Sequence, residues 1–341
     1  MEFRRVLITG GCGFLGQYLT RDLLDACPGL RIKILDLKPN PHPLFDFSDS
    51  HNVTFLFDKD IRHYDSIEKE FNNIDLVIHL AALVSFSLQD KNLLERVNVL
   101  GTKNTVKAAA SNKIGLFLHV SSVAALGYSD DSNRAISETF DFDWGIAQAR
   151  KKYYMLTKHR ADVEIKRCVK GGLKAVILYP GLMFGPGDVG NSTKLIRAIR
   201  CGKIPFNMPG GTNIIDVRDV SRGILTILKR GITKGTYLLS GYNLTFREIN
   251  RIVADALSVR HPRLTLPRFL NPLVFSLVLL LESITRRKLA LTADNVDSAF
   301  KFRYFDNTKA KQELGWEPEI PFEQTIKDTI EWMHKNGHLE G

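Results

Sequence analysis

The chain has 341 residues, 44 % of them hydrophobic and 25 % charged, which excludes the disordered and fibrous classes and suits one large domain or two lobes. Its 47 Lys and Arg against 37 Asp and Glu leave +10, but the basic residues are scattered, with no basic tail and no aromatic-interleaved basic stretch. The excess therefore reads as solvated surface, and no nucleic-acid partner is expected. Cys12, Cys27, Cys168 and Cys201 form no Cys-x-x-Cys pair and no cluster with histidine, so neither a disulfide framework nor a metal site is expected.

The chain runs through Arg4 and Arg5 straight into an apolar strand pattern, Arg5–Thr9, which leaves no room for a cleavable leader; a cytoplasmic location is expected. Directly after that strand comes Thr9-Gly10-Gly11-Cys12-Gly13-Phe14-Leu15-Gly16, opening an amphipathic segment. Glycines there let the chain turn sharply and approach a pyrophosphate, while the following helix offers free N-H groups and a positive dipole end to the anion. A second apolar run, 31–37, contains Asp36, twenty residues beyond Gly16. A carboxylate at that strand end accepts from both ribose hydroxyls of NAD and repels the extra phosphate of NADP, so NAD is expected ahead of NADP. Lys38 and Arg62 are the cations that could reach such a phosphate.

The runs 53–57, 76–81, 116–121 and 174–179 alternate with helical stretches such as 93–110. Apolar runs without strict alternation are those of strands covered on both faces, so the rhythm predicts an α/β fold with a doubly wound parallel sheet. Such a sheet binds ligands at the carboxyl ends of its strands, where Gly10, Asp36, Asp58, Ala81, Ser121 and Pro180 all fall. Beyond Pro180 the rhythm breaks into Gly- and Pro-rich loops and helices. The expected division is a dinucleotide-binding domain over 1–180, with strands 213–217 and 236–240 returning to it, and a mainly substrate-binding lobe over 181–341. Within that lobe 269–281 is apolar but contains Asn271, Pro272 and Ser276 and falls short of the roughly 20 residues a spanning helix needs. It reads as a buried helix or an apolar lip of the substrate pocket; Arg286, Arg287 and Lys288 after it keep contact with a membrane surface as the less favoured reading.

The chemistry is carried by Tyr154 and Lys158. Interconverting an alcohol and a ketone by hydride transfer requires a group that exchanges a proton with the oxygen. A phenol needs a neighbouring cation to bring its pKa of about 10 toward working pH. At about 100° per helical residue Tyr154 and Lys158 differ by about 40° and share a face, whereas Tyr153 and Lys158 differ by about 140°. At the end of the run 116–121, the hydroxyl of Ser121 or Ser122 would orient the substrate oxygen, the other serine satisfying backbone groups.

Thr9-Gly10-x-x-Gly13-x-x-Gly16, His79-Leu80-Ala81-Ala82, Tyr154-x-x-x-Lys158 and the blocks 178–188 and 215–220 together resemble the extended short-chain dehydrogenase/reductase family, within the NAD-dependent epimerase/dehydratase superfamily, over nearly the whole chain. The resemblance implies a Rossmann-type sheet with a smaller C-terminal substrate lobe. It implies Ser122, counted back from Gly127, as the active-site hydroxyl beside Tyr154 and Lys158. For the cofactor it implies Gly10, Gly13, Phe14, Leu15, Gly16 and Asp36, with Asp60 and Ile61 beside adenine, Ala81 and Ala82 near the ribose, Asn98 ordering the site, and Tyr154, Lys158, Pro180 and Gly181 near the nicotinamide.

Gly210-Gly211-Thr212-Asn213, Leu266-Pro267 and Tyr304-Phe305-Asp306 are most similar to the 3β-hydroxysteroid dehydrogenase and dihydroflavonol reductase group. Asn213-Ile214-Ile215 lacks the arginine-aspartate pair that nucleotide-sugar enzymes carry there. A small apolar substrate is implied, sterol-like, flavonoid-like or oxoacyl. The alternatives are a nucleotide-sugar epimerase or dehydratase with retained NAD, and a non-enzymatic NAD-sensing protein on the same scaffold. The resemblance also makes a homodimer through 93–110 and 151–168 the expected assembly. Tyr179, Asp162 and Phe184 stand where the family commonly has arginine, glutamate and tyrosine; none belongs to the proton-transfer set, and Tyr179 bears on the nicotinamide or the substrate mouth.

Overall fold

The computed structural model describes residues 3–129, 131–285, 287–289 and 291–339. Eleven strands occur among them: β1 (Arg5–Thr9), β2 (Arg31–Leu35), β3 (Val53–Leu56), β4 (Leu76–His79), β5 (Leu116–Val120), β6 (Ala175–Pro180), β7 (Leu182–Phe184), β8 (Gly211–Asp216), β9 (Gly235–Leu239), β10 (Tyr242–Thr245) and β11 (Phe302–Arg303). Seven make one parallel sheet in the order β3-β2-β1-β4-β5-β6-β9. Every residue of β4, β5 and β6 is buried, because helices cover both faces. Alternate side chains feed two cores: Val6, Ile8 and Ile78 pack on one face, Leu7, Val77 and Phe117 on the other.

Several strands end sooner than their apolar runs. β2 stops at Leu35 and β4 at His79, so Asp36, Ala81 and Ala82 lie in the loops beyond the sheet rather than in it. The strand order reverses direction at β1 and β4, and the crevice outside their carboxyl ends is the cleft described below.

Of the two later strands expected to return to this sheet, only β9 does so, pairing with β6 from Val176↔Gly235 to Pro180↔Leu239. β8 forms a second sheet, antiparallel to β10 and parallel to β7 and β11. The chain crosses between the sheets at Gly181, where a Cβ would run into the Asn213 carboxamide oxygen. Asn213, fully buried, is committed to that junction, accepting from Gly241 N at 2.9 Å and donating to Asn243 Oδ1 at 2.8 Å.

The helix Asn271–Thr285 also differs from expectation. It is not buried: Leu273, Leu277, Leu280 and Ile284 are each more than half exposed. Apolar composition cannot say which face a helix turns to its own protein. Continued back through a turn at Arg268–Leu270, the segment is long and apolar enough, by length and composition alone, to cross a membrane. Arg286 lies outside the described residues.

Candidate active site

A cleft of about 690 Å³ opens at the carboxyl ends of the parallel strands, within the range of small-molecule sites. Gly10, at φ +71°, follows β1, and a Cβ there would stand 2.7 Å from Ala81 Cα. At Gly16 a Cβ would stand 2.6 Å from Gly11 Cα. Both positions exclude any other residue. The helix Phe14–Ala26 starts from this loop with no capping side chain and no acidic residue in its first turn, so its free N-H groups face the cleft's glycine wall.

Asp36 lies across from that helix start, accepting from Cys12 N at 3.1 Å and Leu37 N at 2.8 Å. Burial holds its carboxyl above the ordinary carboxylate value although those N-H groups pull it down. Further along the wall, Asp60 is clasped by Arg62, whose Nε lies 2.8 Å from Oδ2, which holds the Asp60 carboxyl below its ordinary value. Glycine cradle, uncapped helix start and carboxylate together fit a dinucleotide.

Tyr154 and Lys158 lie on the helix Tyr153–Lys170, and both line the same cleft as Gly10, Gly13, Gly16 and Asp36. Phe14, Leu15, Asp60, Ile61, Ala81 and Ala82 line it too. Tyr154 is 9 % exposed, its ring edge-on to Phe86 at 5.6 Å. Burial pushes its phenol up to about 12, a hydrogen bond with Ser122 pulls it down, and the charge of Asp162 pushes it up. The lowering expected from Lys158 is not the governing effect here: the Lys158 ammonium, itself pushed down to about 8 by burial, donates to Val120 O at 3.3 Å.

The two serines separate. Ser121 lines the cleft but its Oγ donates to the buried Asp162 Oδ1 at 2.7 Å, while Ser122, behind the lining, bonds Tyr154 and accepts from Ala124 N at 3.2 Å. Four expected site residues lie outside the cleft wall: Ser122, which reaches it through Tyr154, and Pro180, Gly181 and Asn98. Pro180 pairs with β9 and Gly181 packs on Asn213. Asn98, 1 % exposed in a wide π-type turn, holds both backbone groups of Leu83 (2.8 and 3.0 Å) and donates to Thr157 Oγ1 at 3.2 Å. It positions the wall and does not form it.

Spacing did not disclose the polar floor beneath the cleft. His79, bonded to Thr9 Oγ1 at 2.6 Å and Thr102 Oγ1 at 3.0 Å, stacks on His119, whose Nε2 is 3.4 Å from Asp162 Oδ1. Burial lowers the pKa of both imidazoles. Lys152, just before Tyr153, is fully buried between Asp294 and Asp297, partners more than 140 residues away. No local signal marks such a pairing. Asp162 was visible only as a departure from the usual glutamate.

The model of the 3-beta hydroxysteroid dehydrogenase/isomerase family matches residues 7–220. The chain belongs to that family. By that membership it is an oxidoreductase acting on CH-OH groups, within the extended short-chain dehydrogenases. A protein of Synechocystis sp. named as a candidate dihydroflavonol 4-reductase is 29 % identical, the alignment covering 98 % of this chain and 95 % of that one. The sterol-4-alpha-carboxylate 3-dehydrogenase (decarboxylating) of Candida albicans is 25 % identical over 98 % of this chain and 99 % of its own. Among solved structures, gox2253 superposes with a TM-score of 0.80 at 27 % identity, covering 98 % of this chain and 99 % of that one. The dTDP-glucose 4,6-dehydratase DesIV of Streptomyces venezuelae superposes with a TM-score of 0.78 at 22 % identity over 98 % and 99 %, a likeness of fold.

Proposed function

We propose that this family member is an NAD-dependent dehydrogenase that interconverts a secondary alcohol and a ketone on a small apolar substrate, sterol-like or flavonoid-like. One observation carries the reading: Tyr154 and Lys158 share a single cleft with the glycine cradle and Asp36. The names of the Synechocystis and Candida relatives support the substrate class. Bound dinucleotide supplies the hydride acceptor or donor. Ser122 orients the substrate oxygen, and Tyr154, neutral at neutral pH, donates its proton to that oxygen or takes one back in the reverse direction. Lys158 holds positive charge at the cleft floor beside the reacting end.

NAD over NADP is supported by the Asp36 carboxylate on the cleft wall and by the engagement of Arg62 with Asp60, which leaves that guanidinium committed. Asn213, Ile214 and Ile215 are buried, so the nucleotide-sugar alternative has no cation there to meet a diphosphate. The dinucleotide is assigned to the seven-stranded sheet and the substrate to the space between it and the lobe after 181. Leu100, Val163 and Val169, each more than a third exposed, support a homodimer through their helices. The four free cysteines support a reducing, cytoplasmic setting.

The test is nicotinamide absorbance change with 3-hydroxysterols, dihydroflavonols, 3-oxoacyl compounds and nucleotide sugars, each with NAD and with NADP. Tyr154→Phe is expected to cut kcat by about 10²- to 10⁴-fold. Turnover undiminished in Tyr154→Phe, or a clear preference for NADP, overturns the corresponding part of the reading.

A further inference from the structure

Asp162 is a buried charge with no lysine or arginine paired to it among the described residues. It lies on the helix Tyr153–Lys170, four residues after Lys158, and is 2 % exposed. The groups against its carboxylate are neutral. Ser121 Oγ donates to Oδ1 at 2.7 Å, and His119 Nε2 stands 3.4 Å from the same oxygen, its imidazole pKa lowered by burial. The Tyr179 hydroxyl, on a buried residue of β6, faces the carboxylate as well. Lys158, equally buried, has one hydrogen-bond partner among the described residues, the neutral Val120 O at 3.3 Å. The cleft floor thus holds one anion and one cation, each fastened by neutral groups.

Residues four apart on a helix share a face about 5–6 Å apart, near enough in a low-dielectric interior for opposite charges to govern each other's ionisation. We propose that Asp162 is a positioning residue of the reaction, acting through Lys158 as the counter-charge that keeps the ammonium charged beneath the reacting end while its N-H groups stay free for a ligand. This rests on Tyr154 and Lys158 being the reacting pair. Direct contact would defeat the purpose: at Lys152, two carboxylates at 3.0 Å occupy the ammonium. Ser121, His119 and Tyr179 instead engage the Asp162 carboxylate from the side of β5 and β6.

The effect has a definite sign. Burial pushes Lys158 down to about 8 and Asp162 pulls it back up, so burial outweighs the attraction without abolishing it. Burial also pushes the Tyr154 phenol up to about 12, and the Asp162 charge adds to that rise. One carboxylate therefore favours the protonated form of both members of the pair. His79 on β4, stacked on His119 with its pKa lowered by burial, adds no positive charge. The other carboxylate nearby, Glu138, acts on Tyr179 and not on Lys158.

The experiment is an NMR titration of isotope-labelled lysine ε-carbons in the full chain, the Lys158 signal assigned by its loss in Lys158→Met, together with kcat measured across pH. In Asp162→Asn, which keeps an acceptor for Ser121, the Lys158 titration should fall by about one unit. Turnover should then be about tenfold lower at about pH 9 and nearly unchanged at about pH 6, and Asp162→Glu should restore both. Should Asp162→Asn not fold, Asp162→Leu/Ser121→Ala removes the charge together with the hydroxyl it satisfies, and the same shift is expected. An unmoved Lys158 titration in a folded variant overturns the proposal. So does a loss of kcat that is equal at every pH, which would leave Asp162 a packing residue. A shifted titration with no nicotinamide turnover on any test compound upholds the coupling of the two charges and overturns the dehydrogenase reading instead.

Discussion

The junction beneath the helical lobe and the floor of the cleft each bury a lysine from the same stretch of chain, six residues apart, and treat it differently. Lys152 is met by Asp294 Oδ1 and Asp297 Oδ2, both at 3.0 Å, and by Ser298 Oγ at 2.9 Å. Lys158 has one carbonyl at 3.3 Å, while the nearby carboxylate, Asp162, is already taken by Ser121 and lies beside His119. Burial is common to both, so the number of committed partners decides which ammonium clamps two elements together and which stays available to a ligand.

Replacing each lysine by methionine is the sharpest way to break this comparison. Lys152→Met leaves buried Asp294 without a cation and Asp297 with only Arg150 at 3.7 Å, and should cost about 3–5 kcal/mol in denaturant unfolding. Lys158→Met should hold or raise stability yet lose most turnover. Equal losses of stability in both variants would erase the distinction.

A pH series sharpens it. The Lys158 pKa is lowered from 10.5 to about 8 on folding, so the unfolded chain binds more protons between those values and stability rises with pH there. That contribution is complete above 10.5 and is lost as pH falls through about 8. Between about pH 7 and 9.5 the gain should be about 2 kcal/mol by chemical denaturation, and Lys158→Met should abolish it. Tyr154 acts in the opposite sense at higher pH: with its pKa raised from 10.0 to about 12, it withdraws stability as pH climbs between them.

The smallest effect concerns the serines. Ser121→Ala removes a donor from buried Asp162 and should cost about 1–2 kcal/mol with KM little changed. Ser122→Ala removes the acceptor of Ala124 N, should cost about 1 kcal/mol, and should lower kcat. The reverse split would exchange their roles.

Much of the cleft was legible along the chain because its signals are local. Glycine spacing reports a turn that only glycine can make, and the run of apolar residues in β1 to β6 reports burial on two faces. The four-residue step from Tyr154 to Lys158 reports a shared helix face. The family resemblance places Asn98 among the cofactor contacts as the residue ordering the site. It stands behind the wall, a distinction that spacing cannot carry.

Repeating local patterns by themselves determined the parallel sheet, the glycine cradle, the acid at the second strand end and the Tyr-Lys pair. Only the tertiary structure decided that Ser121 is held by Asp162, that β8 leaves the first sheet, that Lys152 locks onto Asp294 and Asp297, and that the leucines of 271–285 face outward. The reason is physical: periodicity encodes which residues share a face, but what that face meets is chosen by partners far away in sequence, and hydropathy counts side chains without regard to their direction.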